Sequence, residues 1–264
     1  MKLETTFHPS TPHILIEGGI EFHLGKKKGD TILYDFPKML RYLDAKGKLL
    51  FGKKFKIHEE DHEILYQLCV YFIKDEISCE KFNIDPNKGI MLSGPVGCGK
   101  TTLMKLLRHL VPHHRPYEII PTRNIVFGFN NLGYSIIEQY GNSNFYCFDD
   151  LGVEPEGKHF GKDCNVMGEI LLSRHELFTQ CPPERSQRAE QPVLSLSKGS
   201  RRTVPKQPAL SGVEVSKGSR RTTHITTNLN AEEIEERYGN RVRSRLREMV
   251  NVIGFDKNTK DKRK

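Results

Sequence analysis

The chain has 264 residues, 36% hydrophobic and 28% charged, enough for one large α/β domain with an N-terminal extension. Its longest apolar runs, around Leu65–Ile73 and Ile90–Leu92, are too short to cross a bilayer, and "MKLETTFHPS" holds no apolar signal segment, so a cytoplasmic protein with no membrane part is expected. The formal charge of +8 points toward nucleic acid, but nine Lys/Arg against three Glu in 180–222 and five Lys/Arg against two Asp in 256–264 leave the remainder at −1.

Residues 1–57 read as a small irregular module. "HILIEGGIEFHLG" and "GKLLFGKKFKI" suggest short strands, and "DFPKMLRYLDAKG" a helix closed by Gly47. From Glu59 to Asp75 the apolar residues Ile64, Leu65, Leu68, Val70, Phe72 and Ile73 fall largely along one helical face. "DPNKG" then turns the chain into the apolar strand "IMLSG". A helix follows over Thr101–Leu110, a strand near Tyr117–Ile120, a helix near Asn131–Tyr140 and a strand at "FYCFDD". A helix over Cys164–Phe178, a strand "HITTN", a helical stretch over Ala231–Met249 and "VNVIGF" complete the series. Alternating strands and helices imply a parallel sheet covered by helices. The six cysteines form no C-x-x-C pair, and free, reduced thiols are expected; His113-His114 has no partners at metal-ligand spacing.

"GPVGCGKTT", Gly94–Thr102, fits G-x-x-x-x-G-K-[ST] without a mismatch and lies between an apolar strand and a helix, where the mechanism needs it. Gly94, Gly97 and Gly99 let the backbone curl until successive N–H groups point inward at a phosphate chain; Pro95, Val96 and Cys98 fill the loop between them. Lys100 can then reach the terminal phosphates of ATP, the Thr101 hydroxyl can ligate Mg²⁺, and Thr102 continues the first helical turn. "NFYCFDDLG" supplies the acidic strand such a loop requires. Four apolar residues, Phe145–Phe148, lead to Asp149, expected beside the metal, and Asp150, placed to polarise an attacking water. Two carboxylates at the end of a buried strand need a cation to offset them.

With both halves of a nucleotide site in place, "FDDLGVEPE", a helix ending "LLSRHELF" and "THITTNLNAEEIEERYGNRVRSRLREM" resemble the AAA+ ATPases of the DnaC-type helicase-loader group, a pattern shared with the IstB-type transposition helpers. The resemblance covers about Glu59–Phe255 outside a repeat described below. It implies a P-loop α/β/α fold with a mainly parallel five-stranded sheet. It also implies an ATP-driven switch that assembles as a homo-oligomer on single-stranded DNA and acts on a replicative helicase or a transposase. By position, Asn228 resembles the sensor-1 residue, able to bond the γ-phosphate or the lytic water. Asn230 and Glu233 form a capping box for the next helix. Arg245 in "RSRL" resembles the arginine finger that reaches a neighbouring subunit; Arg241, Arg243 and Arg247 stand at other angular positions on the same helix. The sensor-2 arginine has only Arg263 as a candidate, and residues 1–57 match no known partner-binding domain.

"SKGSRRT" occurs at Ser197–Thr203 and again at Ser216–Thr222. In the resembled family the helix ending "HELF" leads by a short turn to the sensor strand, whereas here residues 180–222 intervene. Their Ser, Pro, Lys and Arg content favours a low-complexity insertion with few native contacts; alternating "VLSLS" and "VEVS" leave open a DNA-contacting hairpin. The organisation expected is therefore an extension (1–57), an ATPase core (58–255) interrupted by this insertion, and a basic tail (256–264). Function divides between an ATP-hydrolysing switch serving replication or a mobile element and an ATP-sensing scaffold with little hydrolysis. Asp150, where many AAA+ proteins carry Glu, keeps the second reading open.

Overall fold

The computed structural model describes residues 5–29, 31–113, 117–142, 144–180, 193–195, 222–256 and 258–262. The repeat copies, apart from Thr222, and Arg263 lie outside the described residues.

The chain opens with strands β1 (Thr6–Phe7), β2 (Ile14–Glu17), β3 (Ile20–His23), β4 (Gly25–Lys28) and β5 (Thr31–Asp35), and continues into helices α1 (Phe36–Phe51), α2 (His62–Phe72) and α3 (Glu76–Lys81). Strand β6 (Gly89–Ser93) and helix α4 (Lys100–Leu107) follow, then β7 (Glu118–Pro121), α5 (Thr122–Leu132), α6 (Ser135–Gly141) and β8 (Tyr146–Leu151). The short strands β9 (Gly157–His159) and β10 (Lys162–Cys164) precede α7 (Val166–Gln180) and β11 (Val193–Ser195). Strand β12 (Thr223–Thr227), helix α8 (Ala231–Met249) and β13 (Val250–Gly254) end the series.

Two compact units divide these elements. The first contains the described residues up to Pro86, 103–113 and 193–195; the second contains 87–102, 117–180 and 222–262. The first unit thus takes in residues 58–86, which the sequence reading assigns to the ATPase core. An aromatic chain explains the assignment: the Tyr66 ring of α2 packs edge-on against Phe36 of α1 at 5.1 Å and against Phe82 at 5.7 Å. Within this unit α1 begins at Asp35, whose carboxylate accepts the Lys38 N–H at 3.2 Å, with Pro37 in the first turn. The expectation that Gly47 ends this helix and a strand follows is corrected here. The helix runs through to Phe51, and Gly52, with φ of 100°, ends it. A Cβ on Gly47 would lie 2.0 Å from the Phe55 ring, so the glycine serves close packing of the returning chain rather than a stop. Strand β11, inside the segment read as an insertion with few native contacts, pairs in parallel with β5, Val193 opposite Leu33.

The second unit is built on a five-stranded sheet in the order β13-β6-β12-β8-β7, with every neighbouring pair parallel. This is the helix-covered parallel sheet expected from the alternating pattern, in the five-stranded P-loop α/β/α form that the resemblance implies. Its central strands carry near-continuous buried runs, as parallel strands covered on both faces must. Phe148, Ile225, Phe129, Ile170 and Leu171 meet in one buried cluster, each contributing about 1.5–3 kcal/mol by leaving water. The predicted helix near Asn131–Tyr140 is α6, which starts at Ser135; α5 over Thr122–Leu132 precedes it without a counterpart in the sequence reading, and Gly133, at φ of 63°, separates the two. The capping box at the start of α8 is present: the Asn230 side chain accepts from the Glu232 and Glu233 N–H groups, and Glu233 accepts from the Asn230 N–H at 2.7 Å. Among the described residues no helix is long and apolar enough to cross a membrane.

Candidate nucleotide site

All the described residues singled out above for nucleotide chemistry lie in the second unit. The loop Gly94–Gly99 joins the C-terminal end of β6 to the N-terminus of α4, where helix dipole and unpaired N–H groups favour an anion. Gly97 and Gly99 have φ of 81° and 105°, a region closed to most side chains, and a Cβ on Gly99 would point into open space. Val96 is exposed at the loop's tip, Cys98 is buried, and Thr101 and Thr102 are half-buried in the first turn of α4.

Lys100 is buried, and its ammonium is the hub of the loop. It donates to the carbonyls of Gly94 at 2.8 Å and Pro95 at 2.9 Å, and to the side-chain oxygen of Asn228 at 2.5 Å. Burial lowers its pKa below the ordinary lysine value, while Cys98, Asp150 and Asp149 pull it back upward. Asn228 reaches it because β12 lies between β6 and β8, which brings the strand tip beside the loop.

Asp149 is buried at the end of β8, and one of its oxygens, Oδ1, accepts from the Thr101 hydroxyl at 2.7 Å and from the Thr226 hydroxyl at 2.7 Å. Asp150 follows with φ of 56°. The sheet explains this. Phe148 faces Ile225 and Leu151 faces Thr227, so Asp149 and Asp150 together oppose the single residue Thr226. That is a β-bulge, and it places two consecutive carboxylates at one strand end.

Two hydrogen-bonded pairs, Lys100 with Asn228 and Thr101 with Asp149, therefore stand side by side where Lys100 and Thr101 adjoin in the chain, and Asp150 is tied to Asp149 through Thr226. Arg245 is not among them. It lies on a partly exposed face of α8, its guanidinium 3.3 Å from Glu248, which also binds His175 at 2.8 Å. Arg243 pairs with Glu235, while Arg241 and Arg247 are exposed.

The donor chemistry fits Mg²⁺ and a nucleoside triphosphate. Thr101 and Asp149 present hard oxygen donors side by side, next to a loop rich in backbone N–H groups and a buried ammonium. No cluster of three or more His, Cys, Asp or Glu suited to a metal occurs among the described residues, which accords with a Mg²⁺ held by two protein oxygens together with phosphate oxygens and water. Cys69, Cys79, Cys98 and Cys164 are free thiols.

Three features escape sequence reading. The backbone N–H of Lys262 donates to the Gly97 carbonyl at 3.1 Å and its ammonium to the Cys98 carbonyl at 3.1 Å, so part of the basic tail braces the loop from outside. The segment after β8 is latched to α8: the Glu154 carboxylate accepts from the Gly152 N–H at 2.9 Å and from the Tyr238 hydroxyl, and Arg237 donates to the Glu154 carbonyl. Finally, strands β9 and β10 form a hairpin whose turn residues, Phe160 and Gly161, both have positive φ. Phe160 is 93% exposed, between exposed Lys158 and Lys162. The string "KHFGK" was the available signal: one aromatic in a glycine turn between lysines.

No known family model matches the chain, and no curated protein matches its sequence. Among solved structures it is similar to the DnaC helicase loader, at 16% identity and a TM-score of 0.46 over 78% of this chain and 95% of that one. It is also similar to a protein from Streptococcus pyogenes serotype M3 described as a primosome component, at 14% identity and a TM-score of 0.43 over 77% of this chain and 83% of that one.

Proposed function

We propose that this protein is a Mg²⁺-dependent AAA+ ATPase acting as a helicase-loader-like switch in DNA replication or in the movement of a mobile element. The observation that carries the reading is the pair of hydrogen bonds, Lys100 to Asn228 and Thr101 to Asp149, made by the two consecutive residues that follow the glycine loop. In this reading the N–H groups of Gly97–Thr101 and the Lys100 ammonium bind the phosphates, and Thr101 and Asp149 hold Mg²⁺, which when bound supplies charge neutralisation on the phosphates. Asp150 orients and deprotonates the attacking water, and Asn228 holds that water or the γ-phosphate from the strand tip. Arg245, partly exposed and paired with Glu248 rather than with its own loop, serves the site of the next subunit in a homo-oligomer.

The proposed polymer ligand is single-stranded DNA, and the DNA-touching element favoured is the β9–β10 hairpin. A fully exposed aromatic ring between two lysines offers a base-stacking platform with phosphate-binding cations beside it. The protein partner is then a replicative helicase or a transposase.

The test is steady-state ATP turnover with and without Mg²⁺ and single-stranded DNA, beside titration of labelled single-stranded DNA. Wild type is expected to hydrolyse ATP only with Mg²⁺ and faster with DNA. Phe160→Ala is expected to weaken DNA binding about tenfold or more while leaving basal turnover in place. Tight Mg²⁺–ATP binding with no turnover under any condition would favour the ATP-sensing scaffold instead.

A further inference from the structure

Thr226 is fully buried, and on β12 it faces both acidic residues of the β8 bulge. Its hydroxyl has one proton, which goes to Asp149 Oδ1 at 2.7 Å, and lone pairs, one of which accepts the Asp150 N–H at 2.9 Å. On the other side of Asp150 the buried Thr122 hydroxyl, at the start of α5, donates to the Asp150 carbonyl at 3.0 Å. The peptide groups flanking Asp150 are thus gripped by two hydroxyls from different elements, at a residue whose φ of 56° an aspartate adopts only when its surroundings hold it there.

We infer that Thr226 and Thr122 are positioning residues for ATP hydrolysis: Thr226 fixes the Asp149 carboxylate and, with Thr122, holds Asp150 in the left-handed conformation that aims its side chain. The inference rests on the ATPase reading above. Its logic is a division of donors. Oδ1 of Asp149 takes two hydroxyl protons, from Thr101 and Thr226. If Thr101 turns its oxygen toward Mg²⁺, Thr226 still orients the carboxylate. Valine at 226 would preserve volume, β-branching and burial, but it would leave the Asp150 N–H without this acceptor and Asp149 without its second donor. Serine would keep the hydroxyl. The Thr122 hydroxyl bonds the Asp150 carbonyl and not the Asp149 carboxylate, so its removal should disturb Asp150 and spare Asp149.

The experiment compares Thr226→Val, Thr226→Ser and Thr122→Val with wild type in the full chain. It uses three readouts: thermal midpoint by circular dichroism, binding of a fluorescent ATP analogue across a Mg²⁺ titration, and turnover. Thr226→Val is expected to bind the analogue normally without Mg²⁺, to need about tenfold more Mg²⁺ for its metal-dependent gain, and to lose turnover roughly a hundredfold. Thr226→Ser should return within about threefold of wild type, since it restores the same hydrogen bonds. Thr122→Val should lower turnover with no change in the Mg²⁺ requirement. An unchanged Mg²⁺ requirement in a folded Thr226→Val protein overturns the inference. So does failure of serine to rescue, or a loss in Thr226→Val confined to thermal stability. Should wild type itself show no turnover, the ATPase reading fails, and the Mg²⁺ titration still decides whether Thr226 orients Asp149.

Discussion

The Lys100 ammonium donates to Asn228 Oδ1 at 2.5 Å, tying the glycine loop after β6 to the tip of the neighbouring strand β12. A residue 128 positions away in sequence is thereby held against the only side-chain cation of the loop. The sheet order makes the contact, and it sets what each substitution at the site should do.

Lys100→Ala removes that cation from a buried position where it bonds two carbonyls and an amide. A charge-assisted hydrogen bond contributes about 1.5–3 kcal/mol, so ATP affinity should fall on the order of ten- to a hundredfold. Titration with a fluorescent ATP analogue reads this directly. Asp150→Asn should behave differently, retaining Mg²⁺-dependent binding while turnover drops about 10²- to 10⁴-fold. Equal loss of binding in both variants would merge the roles assigned to Asp149 and Asp150.

Arg245→Ala should leave the affinity of an isolated chain for ATP unchanged, because Arg245 pairs with Glu248 and not with the loop. Turnover in the assembled state should fall by about a thousandfold if the arginine acts across a subunit boundary. Mixing Arg245→Ala with Lys100→Ala protein tests the geometry, since each supplies what the other lacks at a shared interface. Partial recovery is expected at intermediate ratios; none at any ratio would place the arginine's action within its own chain or remove it from the mechanism.

Arg174 is a structural residue of the same unit. It is 2% exposed, donates to the carbonyls of Tyr140, Asn142 and Asn144 and to the Thr223 hydroxyl, and lies over the Tyr146 and Phe148 rings. Arg174→Leu would strip several buried oxygens of their donor, at a cost of about 3 kcal/mol. A fall in thermal midpoint of roughly 6–12 °C is expected by circular dichroism, from about 2–4 °C per kcal/mol in a chain of this size. An unchanged midpoint would mean that water replaces the guanidinium without loss.

Acid should weaken the first unit through His109 and His113. Burial, with help from Lys46 and Arg108 at His109, lowers both to about 4. The unfolded chain takes up these protons near pH 6.5 and the folded one resists until about 4. Their contribution is therefore complete above pH 6.5, declines as pH falls from 6.5 to 4, and stops changing below 4. Thermal midpoints at pH 8, 6 and 4 should trace that decline, and His109→Gln with His113→Gln should flatten it. An equally steep decline in the double variant would assign acid sensitivity elsewhere.

The strand–loop–helix at Gly89–Leu107, the acidic strand ending in Asp149 and Asp150, and the capping box at Asn230 were all legible in the sequence, because each is local. Apolar runs, glycine spacing and a cap acting three residues away depend on neighbours in the chain. Tertiary structure decided everything that depends on which strand lies beside which. Placing β12 between β6 and β8 brings Asn228 to Lys100 and sets Thr226 opposite two aspartates, a bulge that no period-2 pattern encodes. Gly47 shows the limit from the other side. A glycine after a helical run reads locally as a stop, yet here it makes room for the Phe55 ring, a contact that exists only once the chain has folded back. Phe160 had its signal in five residues, but only the turn's geometry, with positive φ at Phe160 and Gly161, holds the ring out in solvent.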